Sequence, residues 1–352
     1  MRNNWHLRPS PMLLWQTWVA GSLFSLTERL QAPVARKQLE QPNYRDAVVI
    51  LGYWRSGTTL LHELLSLDSR YTYPTTHACM NPHHFLISEA SVQARGGQGI
   101  KRPMDEMEIR SGSPQEDEFA LFALGARSPY EALLAPSILP EALRLGDPQD
   151  LSKQEEKNWR EIFLGFLAGV SARGMGRPTI LKSPTHGYRV ATLRKLLPDA
   201  RFVLILRDPW TSFESVVRMW RALFETYAIA PVPTDDFIRE AVLADRPRFE
   251  RKLSTGTAGL GAKRFLAITY ESLVANPLVE IERIYQQLEL GDFETVREAL
   301  TAETKRRREY RAKGSLPSDR WKERITAEWA TILAQHAALS LVRSAGAPHE
   351  SL

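Results

Sequence analysis

The chain has 352 residues, of which 43% are hydrophobic and 25% charged, a composition that argues against disorder and suits one large domain or two smaller ones. Its 46 basic and 41 acidic side chains leave a net charge of +5, and no long basic tract points to nucleic acid, so a small anionic ligand accounts for the excess equally well. A single cysteine, Cys79, excludes a disulfide framework within the chain and fits a reducing, cytoplasmic setting.

In chain order, the first feature is the apolar stretch Met12–Leu26, interrupted by Gln16 and Thr17. It is too short to span a bilayer as a helix. Arg2 and Arg8 precede it in the manner of a signal peptide, but no clean small-x-small cleavage pattern follows. With Trp15, Trp18 and Phe24 it reads as an amphipathic helix that packs on the domain or makes peripheral membrane contact. Residues 1–45 are expected to form this N-terminal helical segment, and 46–352 a single α/β domain.

Ala47–Leu51 (AVVIL) is a continuous apolar run rich in β-branched residues, as expected for a strand buried on both faces. Gly52 to Thr59 (GYWRSGTT) makes a turn. Leu60, Leu61, Leu64 and Leu65 then recur at helical spacing. Residues 70–160 lack strong strand patterns and read as a helical and loop insertion over the sheet. Cys79 with His77, His83 and His84 matches no recognised zinc spacing, which leaves ordinary loop and core roles. Ser113-Pro114-Gln115-Glu116 reads as a capping box, with Ser113 as N-cap, Pro114 at N1 and Glu116 at N3.

Thr179–Leu181 is a second strand, followed by a helix near Tyr188–Leu197. Phe202–Leu206 (FVLIL) is a third, ending at Arg207-Asp208-Pro209, with a helix from Trp210 toward Tyr227. Phe265–Thr269 (FLAIT) is a fourth, with a helix from Pro277 to Leu288. Strands alternating with helices imply a parallel sheet covered by helices on both faces, its site at the strand ends. Gly256–Gly261 precedes a strand, the reverse of a dinucleotide fingerprint, and reads as a flexible loop. Lys305–Arg308 reads as a solvated helix face.

The strand–turn–helix around Ser56-Gly57-Thr58-Thr59 aims a helix N-terminus and several hydroxyls at an anion. It departs from the NTPase loop G-x-x-x-x-G-K-[ST], because Arg55 stands before the Gly and Thr follows it. Gly52–Leu61 resembles the 5′-phosphosulfate loop of sulfotransferases that use 3′-phosphoadenosine-5′-phosphosulfate (PAPS). The Arg at position 55 resembles the carbohydrate, tyrosylprotein and bacterial branches. Arg207 with Ser215, eight residues on, resembles the family's 3′-phosphate pair. Lys182, 25 residues before Arg207, resembles the cation near the bridging and sulfuryl oxygens. Tyr270 resembles the tyrosine near the adenine, and Arg311–Gly314 with Trp321 the basic loop over the 3′-phosphate, through Lys313 and Gly314.

This resemblance runs from about Ala47 to Trp321 and implies a P-loop-like α/β fold. It also implies transfer of a sulfuryl group from PAPS to a hydroxyl or amine acceptor, with no metal required. The expected donor-binding residues are Arg55, Ser56, Gly57, Thr58, Thr59, Arg207, Ser215, Tyr270, Lys313 and Gly314. Arg55 and Lys182 would stabilise charge. The proton acceptor is open between His186, His77 and the acidic run Glu116-Asp117-Glu118, and the family's Glu about 20 residues beyond the loop Arg is replaced by Thr75-Thr76-His77. The acceptor is open among a carbohydrate, a glycolipid and a small metabolite. The competing readings are a kinase-like enzyme, with Asp208 as a magnesium ligand, and a non-catalytic nucleotide-binding module.

Overall fold

The computed structural model describes residues 45–96, 99–102, 108–307 and 316–344, together with 26, 27, 29–33 and 37. Nearly all of the Met12–Leu26 segment, and Lys313 and Gly314, lie outside the described residues.

Among the described residues six strands occur in chain order: β1 (Ala47–Leu51), β2 (Ile100–Lys101), β3 (Glu108–Ile109), β4 (Thr179–Lys182), β5 (Arg201–Leu206) and β6 (Phe265–Thr269). β2 and β3 form a small antiparallel pair. The other four form one parallel sheet in the order β4-β1-β5-β6. Every residue of β1 and β4 is buried, which explains why their sequences carry no polar alternation.

Alternate residues of β1 feed two different cores, as the period of a strand dictates. Ala47, Val49 and Leu51 pack with the helices Pro209–Tyr227 and Asp235–Thr257. Val48 and Ile50 pack with the helices Thr58–Leu65 and Pro277–Leu288. Both faces of the sheet are therefore covered.

The register sets the position of the site. Ile50 lies beside Lys182, Leu51 beside Leu204, and Leu206 beside Thr269. All four strands run the same way, so the segments beginning at Gly52, Ser183, Arg207 and Tyr270 leave the sheet at one edge. β1 has its neighbours on opposite sides, the topological switch point at which open α/β sheets bind ligands.

Three local expectations are corrected. The helix after the acidic run spans Asp117–Ala123, with Glu116 as an N-cap that makes no side-chain cap bond. Ser113–Gln115 pairs along Pro74–Thr76 instead, with Gln115 N–H donating to Pro74 O (2.9 Å) and Thr76 N–H to Ser113 O (2.8 Å). Strand-like pairing of this segment overrides its capping pattern. Gly256 ends the Asp235–Thr257 helix rather than lying in a loop, and a Cβ there would meet Val190 Cβ at 2.6 Å. Arg307 is not simply solvated: its guanidinium pairs with Glu63 at 2.7 Å and ties the Glu294–Arg307 helix to the helix Thr58–Leu65.

Candidate active site

The turn after β1 is built by two left-handed residues, Arg55 (φ 64°) and Gly57 (φ 101°). Arg55 carries a β-carbon in this region, a strain on the order of 1 kcal/mol that collects at ligand sites. Gly57 is required sterically as well, because a Cβ there would lie 2.4 Å from Tyr270 Cδ2. It caps the helix Thr58–Leu65 without any side-chain bond, so the N-terminus of that helix faces the turn uncapped. Ser56 is 3% exposed and its hydroxyl has no hydrogen-bond partner among the described residues. A buried, unpaired hydroxyl costs about 1–3 kcal/mol, which an anionic ligand on this turn would recover.

Three other elements converge on the turn. Arg207, at the end of β5, donates from Nη1 to Arg55 O at 3.1 Å, and its guanidinium stacks 4.6 Å above the Tyr270 ring. Arg55 Nε donates to Ser215 Oγ at 3.2 Å. Arg218 lies three residues beyond Ser215 on the Pro209–Tyr227 helix. Partial burial holds its guanidinium below the usual range; Glu214 pulls the other way, and Arg55 and Arg207 push further down. Glu214 is itself held by both arms of Arg239, at 3.0 and 3.1 Å. The result is a cluster of three guanidiniums beside a serine hydroxyl, an arrangement that attracts a multiply charged anion.

Asp208 is the N-cap of the Pro209–Tyr227 helix, accepting from Trp210 N–H (3.2 Å) and Thr211 N–H (3.3 Å). Its carboxylate thus has the ordinary work of a helix cap.

Lys182 ends β4 and is 1% exposed. Its ammonium donates to Glu116 Oε1 at 2.8 Å and approaches Thr59 Oγ1 at 3.5 Å, so it sits against the first turn of the loop helix. The other Glu116 oxygen accepts from the Tyr130 hydroxyl. Burial, and next the Lys182 charge, hold the neighbouring His62 well below the usual imidazole range, so it stays neutral beside the cation.

The three consecutive acidic residues each grip a different part of the segment after β4. Glu116 takes Lys182. Asp117 accepts from Ser183 Oγ (2.9 Å) and from His186 Nε2 (3.0 Å). Glu118 accepts from Thr185 Oγ1 (2.7 Å), Ser128 Oγ (2.6 Å) and Arg189 Nη2. Burial raises the Asp117 carboxyl, but His186, Arg189 and Ser183 together outweigh it and hold the group at about 2. The side chains of Asp117 and His186 are 1% and 0% exposed, so this pair lies behind the site wall, whereas Glu116 is 16% exposed.

Of the residues singled out from the sequence, the fold therefore gathers Arg55, Ser56, Gly57, Thr58, Thr59, Arg207, Ser215 and Tyr270 at one sheet edge. Lys182 and Glu116 stand beside Thr59. His77 is engaged elsewhere, with its Nε2 at 2.8 Å from Ser88 Oγ and its Nδ1 at 3.5 Å from Asn81 Nδ2. Among the described residues no group of three His, Cys, Asp or Glu side chains is placed to hold a metal ion, so the cluster around Cys79 forms no such set. Arg218, Tyr130 and Arg189 escaped the sequence reading. Arg218 had a usable signal, since a position three residues after Ser215 on a helix shares its face. Tyr130 had none, because it reaches Glu116 through a turn.

Comparison with known proteins agrees with this geometry. The profile of the Sulfotransferase family matches residues 47–294. The omega-hydroxy-beta-dihydromenaquinone-9 sulfotransferase Stf3 of Mycobacterium bovis, and the protein of the same name in Mycobacterium tuberculosis, are 36% identical over 248 residues. That match covers 70% of this chain and 63% of theirs, less than two thirds of the relatives' own length. Among solved structures, sulfotransferase STF9 from Mycobacterium avium superposes with a TM-score of 0.65 at 17% identity, over 88% of this chain and 81% of that one. Sulfotransferase STF1 from Mycobacterium tuberculosis does so with 0.60 at 18%, over 84% and 81%. At such identities these two likenesses speak for the fold, while the profile and the curated relatives speak for descent. The chain belongs to the sulfotransferase family.

Proposed function

We propose that this protein transfers a sulfuryl group from PAPS to a hydroxyl on an apolar acceptor. The observation that carries the reading is the convergence, at one sheet edge, of an arginine cluster on Ser215 with a Lys182–Glu116 pair next to the loop helix. The donor's 5′-phosphosulfate lies on the turn Arg55–Thr59. Its 3′-phosphate lies on Arg207, Ser215 and Arg218. Tyr270 borders the adenine.

The acceptor oxygen attacks sulfur in line. The new O–S bond forms as the bond from sulfur to the bridging oxygen breaks, and the electron pair leaves on adenosine 3′,5′-bisphosphate. Lys182 and Arg55 neutralise that developing charge, a task of positioning and electrostatics. The acceptor proton passes to Glu116, the member of the acidic run with an exposed edge. Asp117 and His186, buried behind it, position the Lys182 segment and do not exchange protons with substrate.

The curated relatives are named for a hydroxylated dihydromenaquinone, which supports a hydroxylated lipid as the acceptor class here. Among the described residues no helix is long and apolar enough to cross a membrane. Peripheral contact through residues 12–26 is the matching way to reach such a substrate. The test is incubation with sulfur-labelled PAPS and a long-chain primary alcohol. Label appears in the organic phase with wild type and falls at least about a hundredfold with Lys182→Gln. Label transfer that survives Lys182→Gln, or none with any hydroxylated lipid, contradicts the proposal.

A further inference from the structure

Lys182 and Glu116 are, in this structure, each other's partner. The ammonium is almost wholly buried and held at the rigid end of a strand, with Glu116 Oε1 at 2.8 Å and Thr59 Oγ1 at 3.5 Å. The carboxylate has one oxygen on Lys182 and the other under the Tyr130 hydroxyl. In this arrangement neither group is ready for the proposed reaction. The cation is already neutralised by a carboxylate, and the carboxylate has a hydrogen bond on each oxygen.

We infer that Glu116 and the donor compete for Lys182, and that Tyr130 is the positioning residue that keeps Glu116 at the site when Lys182 turns to the donor. This rests on the sulfotransferase reading above.

The geometry decides which partner Glu116 loses. Lys182 borders Thr59 in the first turn of the loop helix, where an anionic ligand on that turn would reach it. A phosphate or sulfuryl oxygen brought there offers the ammonium a stronger counter-charge than one carboxylate. Tyr130 lies on the far side of the Glu116 carboxylate from Lys182 and is firmly fixed. Its ring packs 4.8 Å from Phe119 and 6.4 Å from Trp220. Its turn, Pro129–Leu133, begins with a capping box between Ser128 and Glu131, and Ser128 Oγ is tied to Glu118. The backbone of Glu116 is fixed as well, because Asp117 and Glu118 are both clamped to the segment after β4.

The carboxylate therefore swings about a fixed anchor. One oxygen stays on Tyr130, and the oxygen released by Lys182 faces the acceptor hydroxyl. Donor binding in this way arms the base and the leaving-group cation in one exchange, and the order of addition is donor first, acceptor second.

The experiment is calorimetric titration of the intact chain with adenosine 3′,5′-bisphosphate. Wild type is compared with Glu116→Gln, Tyr130→Phe, Lys182→Gln and the double variant Glu116→Gln/Lys182→Gln. Removing the internal competitor tightens binding, so Glu116→Gln binds about tenfold more strongly than wild type. Glu116→Ala, which deletes the carboxylate rather than neutralising it, moves affinity in the same direction if the glutamine variant folds poorly. Tyr130→Phe leaves nucleotide affinity where it was, and at saturating PAPS it lowers kcat for a long-chain alcohol without raising the KM for PAPS. In the Lys182→Gln background the Glu116 substitution has no effect, since nothing is left to compete for.

Equal or weaker binding by both Glu116 variants, with wild type still binding the nucleotide, overturns the competition and leaves the donor assignment standing. Tightening by Tyr130→Phe overturns the anchoring role. A wild type that does not bind adenosine 3′,5′-bisphosphate overturns the donor assignment, and this inference with it.

Discussion

The two halves of the site are built on opposite electrostatic plans. At the β1–β5–β6 edge, Arg55, Arg207 and Arg218 crowd together beside Ser215, and a buried Ser56 hydroxyl has no hydrogen-bond partner among the described residues. Beside them, between the acidic run and the segment after β4, each carboxylate meets a cation or several hydroxyls, and charges balance. The first region gathers three guanidiniums, a charge that an anionic ligand would bridge. The second pairs its carboxylates with groups of its own fold. On the proposed function, the polyanionic donor is held where arginines gather, and the reacting groups stand where carboxylates and cations pair.

Substitutions in the balanced region behind Glu116 therefore register mainly in stability, and those in the arginine-rich region mainly in affinity. The largest effect is expected for Glu118→Ala. It strands the buried Arg189 guanidinium and two hydroxyls, Ser128 and Thr185, at a cost of about 3–5 kcal/mol. Chemical denaturation measures it. A loss below about 1 kcal/mol would show that the clamp is not a rigid element.

Next is the pH dependence carried by Asp117. Its folded-state value of about 2 lies below the ordinary 3.8, so the carboxylate contributes stability that is fully present above about pH 4 and is lost as pH falls through about 2. The contribution is on the order of 2 kcal/mol. Unfolding free energies of wild type and Asp117→Asn measured across that window should converge toward the acid end. Parallel curves would contradict the assignment.

The smallest effect belongs to Arg218→Gln in the arginine-rich region. Affinity for adenosine 3′,5′-bisphosphate is expected to fall about fivefold, and affinity for 5′-AMP to stay the same. Equal losses for both nucleotides would place Arg218 outside the 3′-phosphate site.

What could be read in advance follows the same division. The four strands of the main sheet were legible because burial on both faces leaves unbroken apolar runs such as AVVIL and FVLIL. Lys182 and Arg207 were legible because each directly follows or ends such a run, and Arg55 because it lies in the turn after one; parallel strands bring those ends to one edge. The balanced region was opaque. Glu116 lies 66 residues from Lys182 and 14 from Tyr130, and Glu118 lies 71 from Arg189. No local pattern predicts such pairings. Ser113–Glu116 even matched a helix-start pattern, which the pairing of Ser113–Gln115 with Pro74–Thr76 displaced. Charge order within the acidic run could not separate Glu116, at the site, from Asp117 and Glu118, buried behind it.

The central claim is that the arginine-rich edge holds a 3′-phosphorylated nucleotide. Its most direct test is calorimetric titration of wild type and Arg207→Ala with adenosine 3′,5′-bisphosphate, 5′-AMP, and ATP with magnesium. Wild type is predicted to prefer the 3′,5′-bisphosphate over both others, and Arg207→Ala to lose about tenfold to a hundredfold of that affinity while its weak 5′-AMP binding persists. Equal affinity for 5′-AMP and the bisphosphate, or a preference for ATP with magnesium that Arg207→Ala leaves intact, would contradict the account.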